Sequence, residues 1–361
     1  MTVNPTLLPG QRLRARGTGT NASGRFESTA REAFDDGWDM AEDDRLVATE
    51  VRLERPRSAL TFNRSPDVPF DRSINPYRGC EHGCIYCFAR PTHAYLNLSP
   101  GLDFETRLIA RPGIAQVLDR ELRRPSYQVA PVALGTNTDP YQPIEREHGL
   151  MRGVLQVLAA FRHPVWITTR GTTIERDIDL IAAMAAEGLA VVSISVTTLD
   201  ETLARQMEPR APTPKRRLQM IRRLADAGIP VRVQVSPLIP ALTDHELEAV
   251  MEAGRDAGAR ASNTIPLRLP LEVSGLFRNW LAATVPDRAE RVMGRVRELH
   301  GGRDYDPDWG KRMRGQGLWA ELIDRRAAVA RKRLGLEETL PALRSDLFAP
   351  PPKPGDQLTL F

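Results

Sequence analysis

Short β-rich runs alternate with helical segments over the middle of the chain, and this alternation constrains the fold more than any other feature. The strand candidates lie at residues 73–78, 131–136, 165–170, 190–198, 230–237 and 261–269. The helix candidates between them lie near residues 112–124, 145–161, 175–187, 214–227 and 244–257. Such alternation indicates βα units around a parallel sheet. Six strands are too few for a complete eight-stranded barrel, so we expect an α/β fold, a partial (β/α)6 TIM-like barrel.

The pattern changes on both sides of this region. Residues 1–70 are polar and predict an N-terminal extension, and residues 71–275 carry the barrel. A C-terminal helical region over 276–348 contains helix candidates at 276–284, 288–300 and 318–334, and residues 349–361 form a Pro-rich linker and tail. With 41% hydrophobic and 27% charged residues, the chain has enough apolar material for a packed core.

Composition also bears on the compartment. No window of about 18 residues is free of charge, and the first residues lack the apolar stretch of a secretory signal, so we expect neither a membrane span nor secretion. Three cysteines cannot form a fully paired disulfide framework, which favours a cytoplasmic location with the cysteines as thiols or ligands. The net charge of +4 neither requires nor excludes an anionic partner.

Two strand candidates alternate polar and apolar side chains. The polar positions are Ser193, Ser195 and Thr197 in one strand and Arg232, Gln234 and Ser236 in the next. One interpretation is a barrel whose inner face is polar and encloses a polar ligand. The alternative is that these residues face solvent on an edge strand.

All three cysteines lie within eight residues, directly after the first strand. Cys80, Cys84 and Cys87 form the pattern C-x3-C-x2-C on a loop that contains glycine. Three thiolates at this spacing favour an iron-sulfur cluster, and because the chain has no fourth cysteine one iron would stay open for a substrate or cofactor. The alternative is a structural Cys3His zinc site that uses His82 or His93.

This motif, with Tyr86 next to the last cysteine, resembles the signature of the radical S-adenosylmethionine enzymes. The resemblance implies a barrel of the radical SAM type, a 4Fe-4S cluster on Cys80, Cys84 and Cys87, and S-adenosylmethionine bound to the open iron. It further implies that one electron, from an electron-donor partner, cleaves S-adenosylmethionine to methionine and a 5'-deoxyadenosyl radical.

The resemblance extends over about residues 58–336 to the DNA repair photolyase-like branch, which is related to spore photoproduct lyase. The stretches that carry it are SPDVPFDRSINPYRGCEHGCIYCFARPTHAYLNLSPGLDFET, GTNTDPYQPIE, TTLD, MEPRAPTPKRRL and SPLIPALTDHELE. It implies contacts to S-adenosylmethionine at the ends of successive strands. The residues at those positions are Thr136, Asn137, Thr138 and Asp139 for the amino group, Arg170 with Ser193 or Ser195 for the carboxylate and ribose, and Tyr86 beside the adenine.

Each assignment has a simpler structural alternative. The polar residues at 136–139 are also of the types that favour a turn before a proline. Arg170 is also placed to form a surface ion pair with Glu175 or Asp177. The ring of Tyr86 also suits plain packing.

One departure from the resemblance concerns the hydrogen atom that is returned to the product. Spore photoproduct lyase takes it from a cysteine close to where Thr136 stands, and this chain has no cysteine there. The threonine O–H bond is too strong for that role. Photoproduct lyase chemistry would then need Tyr77, Tyr95, Tyr141 or regenerated S-adenosylmethionine as the donor.

Two further stretches suggest macromolecular partners. The stretch from Lys311 to Arg333 contains eight basic residues and only two acidic ones, and this excess of positive charge would suit contact with nucleic acid. The last five residues, Gln357, Leu358, Thr359, Leu360 and Phe361, resemble the peptide that binds the bacterial DNA sliding clamp.

These features lead to two hypotheses. The first is a radical SAM enzyme that acts on a large substrate, with DNA favoured for a repair-type lyase or modification reaction and RNA or protein as alternatives. The second is a non-catalytic iron-sulfur binding module that is recruited to the sliding clamp.

Overall fold

A computed structural model describes residues 15–27 and 47–352. The strands are β1 Glu50–Leu53, β2 Leu60–Phe62, β3 Arg72–Ile74, β4 Tyr77–Arg78, β5 Arg107–Ala110, β6 Val132–Leu134, β7 Val165–Thr169, β8 Ala190–Ser195, β9 Val231–Leu238 and β10 Ala261–Pro266. The helices are α1 Asp103–Thr106, α2 Ile114–Leu122, α3 Glu145–His148, α4 Leu150–Ala160, α5 Ile178–Ala186, α6 Glu201–Met207, α7 Pro214–Asp226, α8 Leu247–Asp256, α9 Glu272–Thr284, α10 Pro286–Leu299 and α11 Leu318–Leu334. Within the described ranges, no helix is both long enough and apolar enough to cross a membrane.

Six parallel strands form the centre of the molecule. Their order is β3-β6-β7-β8-β9-β10, and β2 extends the sheet as an antiparallel neighbour of β3. Each crossover advances the sheet by one strand in chain order, as in a barrel, and all six carboxyl ends lie at one edge. The α/β partial barrel predicted from the alternation is therefore confirmed, and helices follow it at the C-terminal side.

The two faces of the sheet differ in polarity. On the outer face Val192, Ile194 and Val196 join the hydrophobic core beneath the helices. On the inner face Ser193 is fully buried, although β8 is flanked by β7 and β9 and is not an edge strand. The interpretation of a polar inner face is confirmed, and the edge-strand alternative is wrong.

Several predicted element boundaries differ from the structure. The strand expected over 73–78 is interrupted after Ile74, and Tyr77–Arg78 pairs with β5 in a second sheet of order β1-β5-β4. Pro76 explains the break, because proline has no N–H to donate to a strand ladder. The helix expected over 145–161 is divided at Gly149, which has a φ of +60°. The helix expected from residue 288 begins earlier because Pro286 takes its first position, which suits proline.

We predict that Gly254→Ala destabilises the protein. A Cβ at this position of α8 would lie 2.5 Å from Cγ1 of Val233 in β9, and the branched valine side chain is held within the core. Overpacking of this kind costs about 1–3 kcal/mol of the free energy of unfolding. Thermal unfolding followed by circular dichroism measures the change.

Gly294→Ala is the matched control. Gly294 lies inside α10 with open space where a Cβ would stand, so the alanine should raise the free energy of unfolding by about 0.5–1 kcal/mol. Equal melting temperatures for Gly254→Ala and the wild type would contradict the close packing of α8 on β9.

Candidate functional site

The three cysteines lie on the loop that follows β4, near the edge where the parallel strands end. Cys80 and Cys84 are buried, and Cys87 is partly exposed. Burial raises the pKa of the Cys84 thiol to about 12, so a metal must displace the proton when it binds. The loop therefore presents three thiols within eight residues, two of them sheltered from water.

A fully buried ion pair between Arg90 and Glu105 organises this loop. Arg90 Nε donates to the carbonyl oxygen of Cys84 at 2.9 Å, and Nη2 donates to that of Gly83 at 3.2 Å and to Glu105 Oε1 at 2.5 Å. Its Nη1 donates to two further carbonyl oxygens, at residues 100 and 101. One guanidinium therefore fixes the backbone between two of the cysteines.

The described part of the N-terminal extension covers the same loop. The backbone N–H groups of Gly17 and Thr18 donate to the Glu105 carboxylate at 2.8 and 3.2 Å. Gly17 packs so closely that a Cβ there would stand 1.7 Å from the carbonyl oxygen of Gly83. No motif in the sequence predicts this contact, although Gly17 is a residue that permits so close an approach.

Arg170, at the carboxyl end of β7, extends its Nη1 towards the cysteine loop. This nitrogen donates to Cys84 Sγ at 3.3 Å, to the hydroxyl of Tyr86 at 2.6 Å and to Glu208 Oε1 at 2.6 Å. The surface ion pair considered for Arg170 is wrong, because Glu175 pairs with arginines of α7 and Asp177 pairs with Arg152 and Arg176. The structure thus joins Arg170, Tyr86 and Cys84 around one buried carboxylate.

That carboxylate, Glu208, was not among the predicted site residues. Helix α6 ends at Met207 and places Glu208 directly above the sheet, where Arg217 of α7 and the hydroxyls of Tyr86 and Thr197 also donate to it. Burial opposes its ionisation, but Arg217 and Arg170 outweigh burial and hold the pKa of Glu208 at about 2. Its place within MEPRAPTPKRRL, one of the stretches that carry the family resemblance, was the signal that could have identified it.

Asp139 connects residues 136–139, the segment predicted to contact the amino group of S-adenosylmethionine, to the end of β7 and to the cysteine loop. Its carboxylate accepts from Thr169 Oγ1 at 2.5 Å and from the backbone N–H of Arg170 at 2.9 Å, and it lies 3.4 Å from Nδ1 of His82 in the cysteine loop. Although burial opposes ionisation, these partners lower the pKa of Asp139 to about 2. The Asp139 carboxylate therefore links the cysteine loop to the end of β7.

The other predicted contacts lie at the same edge of the sheet. Thr136, Asn137 and Thr138 follow β6, and Thr138 Oγ1 donates to a backbone carbonyl in β4 at 3.1 Å. Ser193 accepts from Trp166 and Arg232 at 3.0 and 3.1 Å, within the barrel. Ser195 lies two residues farther along β8, just beyond the last pair of that strand with β7. Ligand contacts at Thr136, Asn137, Thr138, Asp139, Arg170, Ser193, Ser195 and Tyr86 stay predictions.

The histidines considered as zinc ligands are engaged elsewhere. His82 Nδ1 points to Asp139, and the ring of His93 contacts the carbonyl oxygen of Arg107 at 2.9 Å. Among residues 15–27 and 47–352, no three His, Cys, Asp or Glu side chains gather around one point as a single metal ion requires. A cubane iron-sulfur cluster does not require the ligands to converge on one point, because each thiolate binds a different iron.

The predicted basic segment does not form one unpaired surface. Lys311 pairs with Asp308, Arg312 with Asp67, Arg326 with Glu248 and Arg331 with Glu338. The acidic partners lie largely outside the segment in sequence, so the local count of charges could not reveal them.

The C-terminal tail begins on the far side of the molecule. The N–H of Ala349 donates to the carbonyl of Phe161 at 3.1 Å, and Arg123 donates to the carbonyl of Pro351 at 2.7 Å. These contacts are at the ends of α4 and α2, hence near the amino ends of the strands. Residues Gln357 to Phe361, the predicted clamp-binding peptide, lie outside the described residues.

Three comparisons with known proteins agree with this geometry. A family model described as the radical SAM superfamily matches residues 74–254. An uncharacterized protein of Mycobacterium tuberculosis strain H37Rv is 41% identical over 256 residues, which cover 70% of this chain and 74% of that protein. An uncharacterized protein of Acidianus two-tailed virus is 26% identical over 214 residues, or 56% of this chain and 70% of the viral protein.

Solved structures of spore photoproduct lyase share the fold. One variant superposes with a TM-score of 0.58 at 14% identity, covering 80% of this chain and 81% of the lyase. Another, with bound S-adenosylmethionine and dinucleoside spore photoproduct, gives a TM-score of 0.54 over the same shares of the two chains, also at 14% identity.

We predict that Glu208→Gln lowers the free energy of unfolding by about 3–5 kcal/mol, since it removes the charge between two buried arginines. The matched control is Glu187→Gln, which removes a carboxylate from an exposed pair with Arg162 and should cost at most about 1 kcal/mol. Chemical denaturation at neutral pH measures both. Equal losses in the two variants would contradict the central role of Glu208.

The low pKa of Glu208 also predicts that the stability of the protein depends on pH. The pKa of Glu208 lies at about 2 in the folded protein, below its ordinary value of 4.5, so its stabilisation is complete above pH 4.5. It is lost as the pH falls from about 4.5 towards 2. The difference in stability between wild type and Glu208→Gln should shrink over that interval, and a constant difference would contradict the assignment.

Proposed function

The chain belongs to the radical S-adenosylmethionine superfamily, and within it we propose that the protein acts on DNA, as a repair-type lyase or a modifying enzyme. The protein is a radical SAM enzyme, and the cofactors of its superfamily are a 4Fe-4S cluster and S-adenosylmethionine. Membership in a superfamily of enzymes favours catalysis over the non-catalytic binding module.

The residues around the cysteine loop fit these cofactors. Cys80, Cys84 and Cys87 would hold the cluster, and three thiolates leave one iron for S-adenosylmethionine. When bound and reduced by an electron donor, this pair of cofactors supplies a 5'-deoxyadenosyl radical. The buried positions of Cys80 and Cys84 keep water away from the loop.

Other side chains at the site would stabilise the thiolates, hold their neighbours in place and contact S-adenosylmethionine. Arg170 Nη1 donates to Cys84 Sγ, and its charge would stabilise the thiolate against burial. Glu208 holds Arg170 and Tyr86 in place. Ser195 at the end of β8, and Thr136 and Asn137 after β6, lie at the same edge of the sheet and are the groups we assign to the polar parts of S-adenosylmethionine.

One observation carries the proposal of a large polar substrate: the inner face of the sheet is polar and leads to the cysteine loop. Ser193, Arg232 and Gln234 lie on neighbouring strands of that face. Spore photoproduct lyase, whose fold is shared, has been crystallised with a dinucleoside photoproduct. DNA is therefore our first substrate class, and RNA and protein are the alternatives to be tested.

A lyase reaction and a modification reaction differ in whether the protein needs a group that returns a hydrogen atom to the product. The hydroxyl of Tyr77 donates to Glu145 and that of Tyr141 to Asp177, so both are engaged away from the cysteine loop. Tyr95 is 72% exposed on the surface. A lyase reaction would therefore favour regenerated S-adenosylmethionine as the donor, and a modification reaction would need none of these residues.

We predict that reduced, anaerobically reconstituted protein releases 5'-deoxyadenosine from S-adenosylmethionine and that DNA increases this release. Chromatographic measurement of deoxyadenosine with DNA, RNA or unrelated peptide tests the substrate class. The Cys87→Ala variant, which lacks one thiolate, is the negative control. Release without any cluster signal, or stimulation by peptide alone, would contradict the proposal.

We also propose that Gln357 to Phe361 bind the DNA sliding clamp. A short peptide of this kind buries little area on its partner, so we expect a dissociation constant on the order of micromolar. A fluorescent peptide spanning residues 350–361 is titrated with bacterial clamp, beside a Leu360→Ala, Phe361→Ala control. Equal binding of the two peptides would contradict this partner.

A further inference from the structure

A groove separates α10 from the loop after β9 and from the start of α11. Its volume is about 430 Å³, and its lining residues are Ala241, Asp244, His245, Arg288, Arg291, Arg295 and Trp319. The lining thus combines three arginines with one carboxylate. We call it the α10 groove.

The three arginines form one row along α10. Their spacing of three and four residues places them on the same face, next to the face that buries Val292 and Val296. From Arg288 to Arg295 the helix advances about 10 Å, at about 1.5 Å per residue. A row of this length can contact more than one phosphate of a nucleic-acid strand.

Two of these arginines form no ion pair within the described part of the chain. Arg288 and Arg291 are exposed, and their side chains form neither a hydrogen bond nor an ion pair with residues 15–27 or 47–352. Arg295 pairs with Glu298 at 2.6 Å, but both groups are exposed and such pairs contribute little. In the basic segment near α11, Lys311, Arg312, Arg326 and Arg331 are also paired with acids, which is half of its basic residues.

The groove is also on the correct side of the barrel. Ala241 follows the carboxyl end of β9, and the same end of the sheet carries the cysteine loop. Ala241 packs against the cluster of apolar residues that contains Cys84 and Tyr86. A strand held in the groove would therefore lie at the same end of the barrel as the site.

We propose that the α10 groove binds the sugar-phosphate backbone of the nucleic-acid substrate through Arg288, Arg291 and Arg295. The inference rests on the proposed function and adds the surface that holds the substrate. Arginine suits this task because its planar guanidinium binds two phosphate oxygens at once. An acidic peptide would also meet positive charge here, but the regular row fits a repeating phosphate.

The test compares the Arg288→Gln, Arg291→Gln double variant with the wild type and with an Arg120→Gln, Arg124→Gln control. The control removes the same charge from exposed arginines at α2, away from the groove. Fluorescence anisotropy with labelled single- and double-stranded DNA gives the dissociation constant at several salt concentrations. Cluster content and melting temperature verify that each variant is folded.

We expect the groove variant to bind DNA at least about tenfold more weakly than the control, from the loss of two charge-assisted contacts. The slope of log affinity against log salt should fall by about 1.4 to 1.8, that is, by two phosphate contacts. An Arg288→Lys, Arg291→Lys variant keeps the charge and should keep most of the slope.

The outcomes separate this inference from the proposed function. If the wild type binds DNA and the groove variant binds as tightly as the control, the groove is overturned while the DNA substrate stands. If the wild type binds no DNA, both are overturned. If polyglutamate competes as well as DNA of equal charge, the groove binds acidic chains in general and the inference is wrong.

Discussion

The buried ion pair of Arg90 and Glu105 is the interaction on which the arrangement of the site depends. Both side chains are fully buried, so each charge would be costly without the other. Arg90 also binds carbonyl oxygens of the cysteine loop, and Glu105 accepts from the N-terminal segment. One pair thus joins the loop, helix α1 and residues 15–27. These contacts fix the backbone of the cysteine loop at Gly83 and Cys84.

A second group of buried charges places the site relative to the sheet. Glu208 lies between Arg217 and Arg170, and Arg170 reaches Cys84 Sγ. The positive charge next to the thiol offsets part of the burial that raises the pKa of Cys84. The carboxylate of Asp139 accepts from the N–H of Arg170 and lies 3.4 Å from His82 Nδ1, so it connects the end of β7 to the cysteine loop.

The parallel direction of the strands explains why the predicted functional residues lie at one edge of the sheet. Parallel strands end at one edge, where the cysteine loop, the residues after β6 and β7, and the loop after β9 all lie. The α10 groove opens beside this edge, whereas the described start of the tail is at the opposite one. A protein tethered through that tail would keep its site free to face a large substrate.

The sequence by itself determined the alternation of strands and helices, the polar inner face and the three thiols, because each depends on local pattern. Alternating residues of β8 face opposite sides of the sheet, and seven positions separate Cys80 from Cys87 in any fold. Pro76 could have been recognised as the end of β3, since the missing N–H is a local property. The family resemblance added the cofactors through the same short motif.

The tertiary structure alone decided which charges meet. Arg170 pairs with Glu208, thirty-eight positions later, rather than with the nearer Glu175, and Arg312 finds Asp67 across most of the chain. Arg288 and Arg291 look ordinary in sequence because acidic residues lie beside them, yet no described acid pairs with either side chain. Ion pairing depends on separation in space, which folding sets through contacts between distant segments, and no local pattern records it.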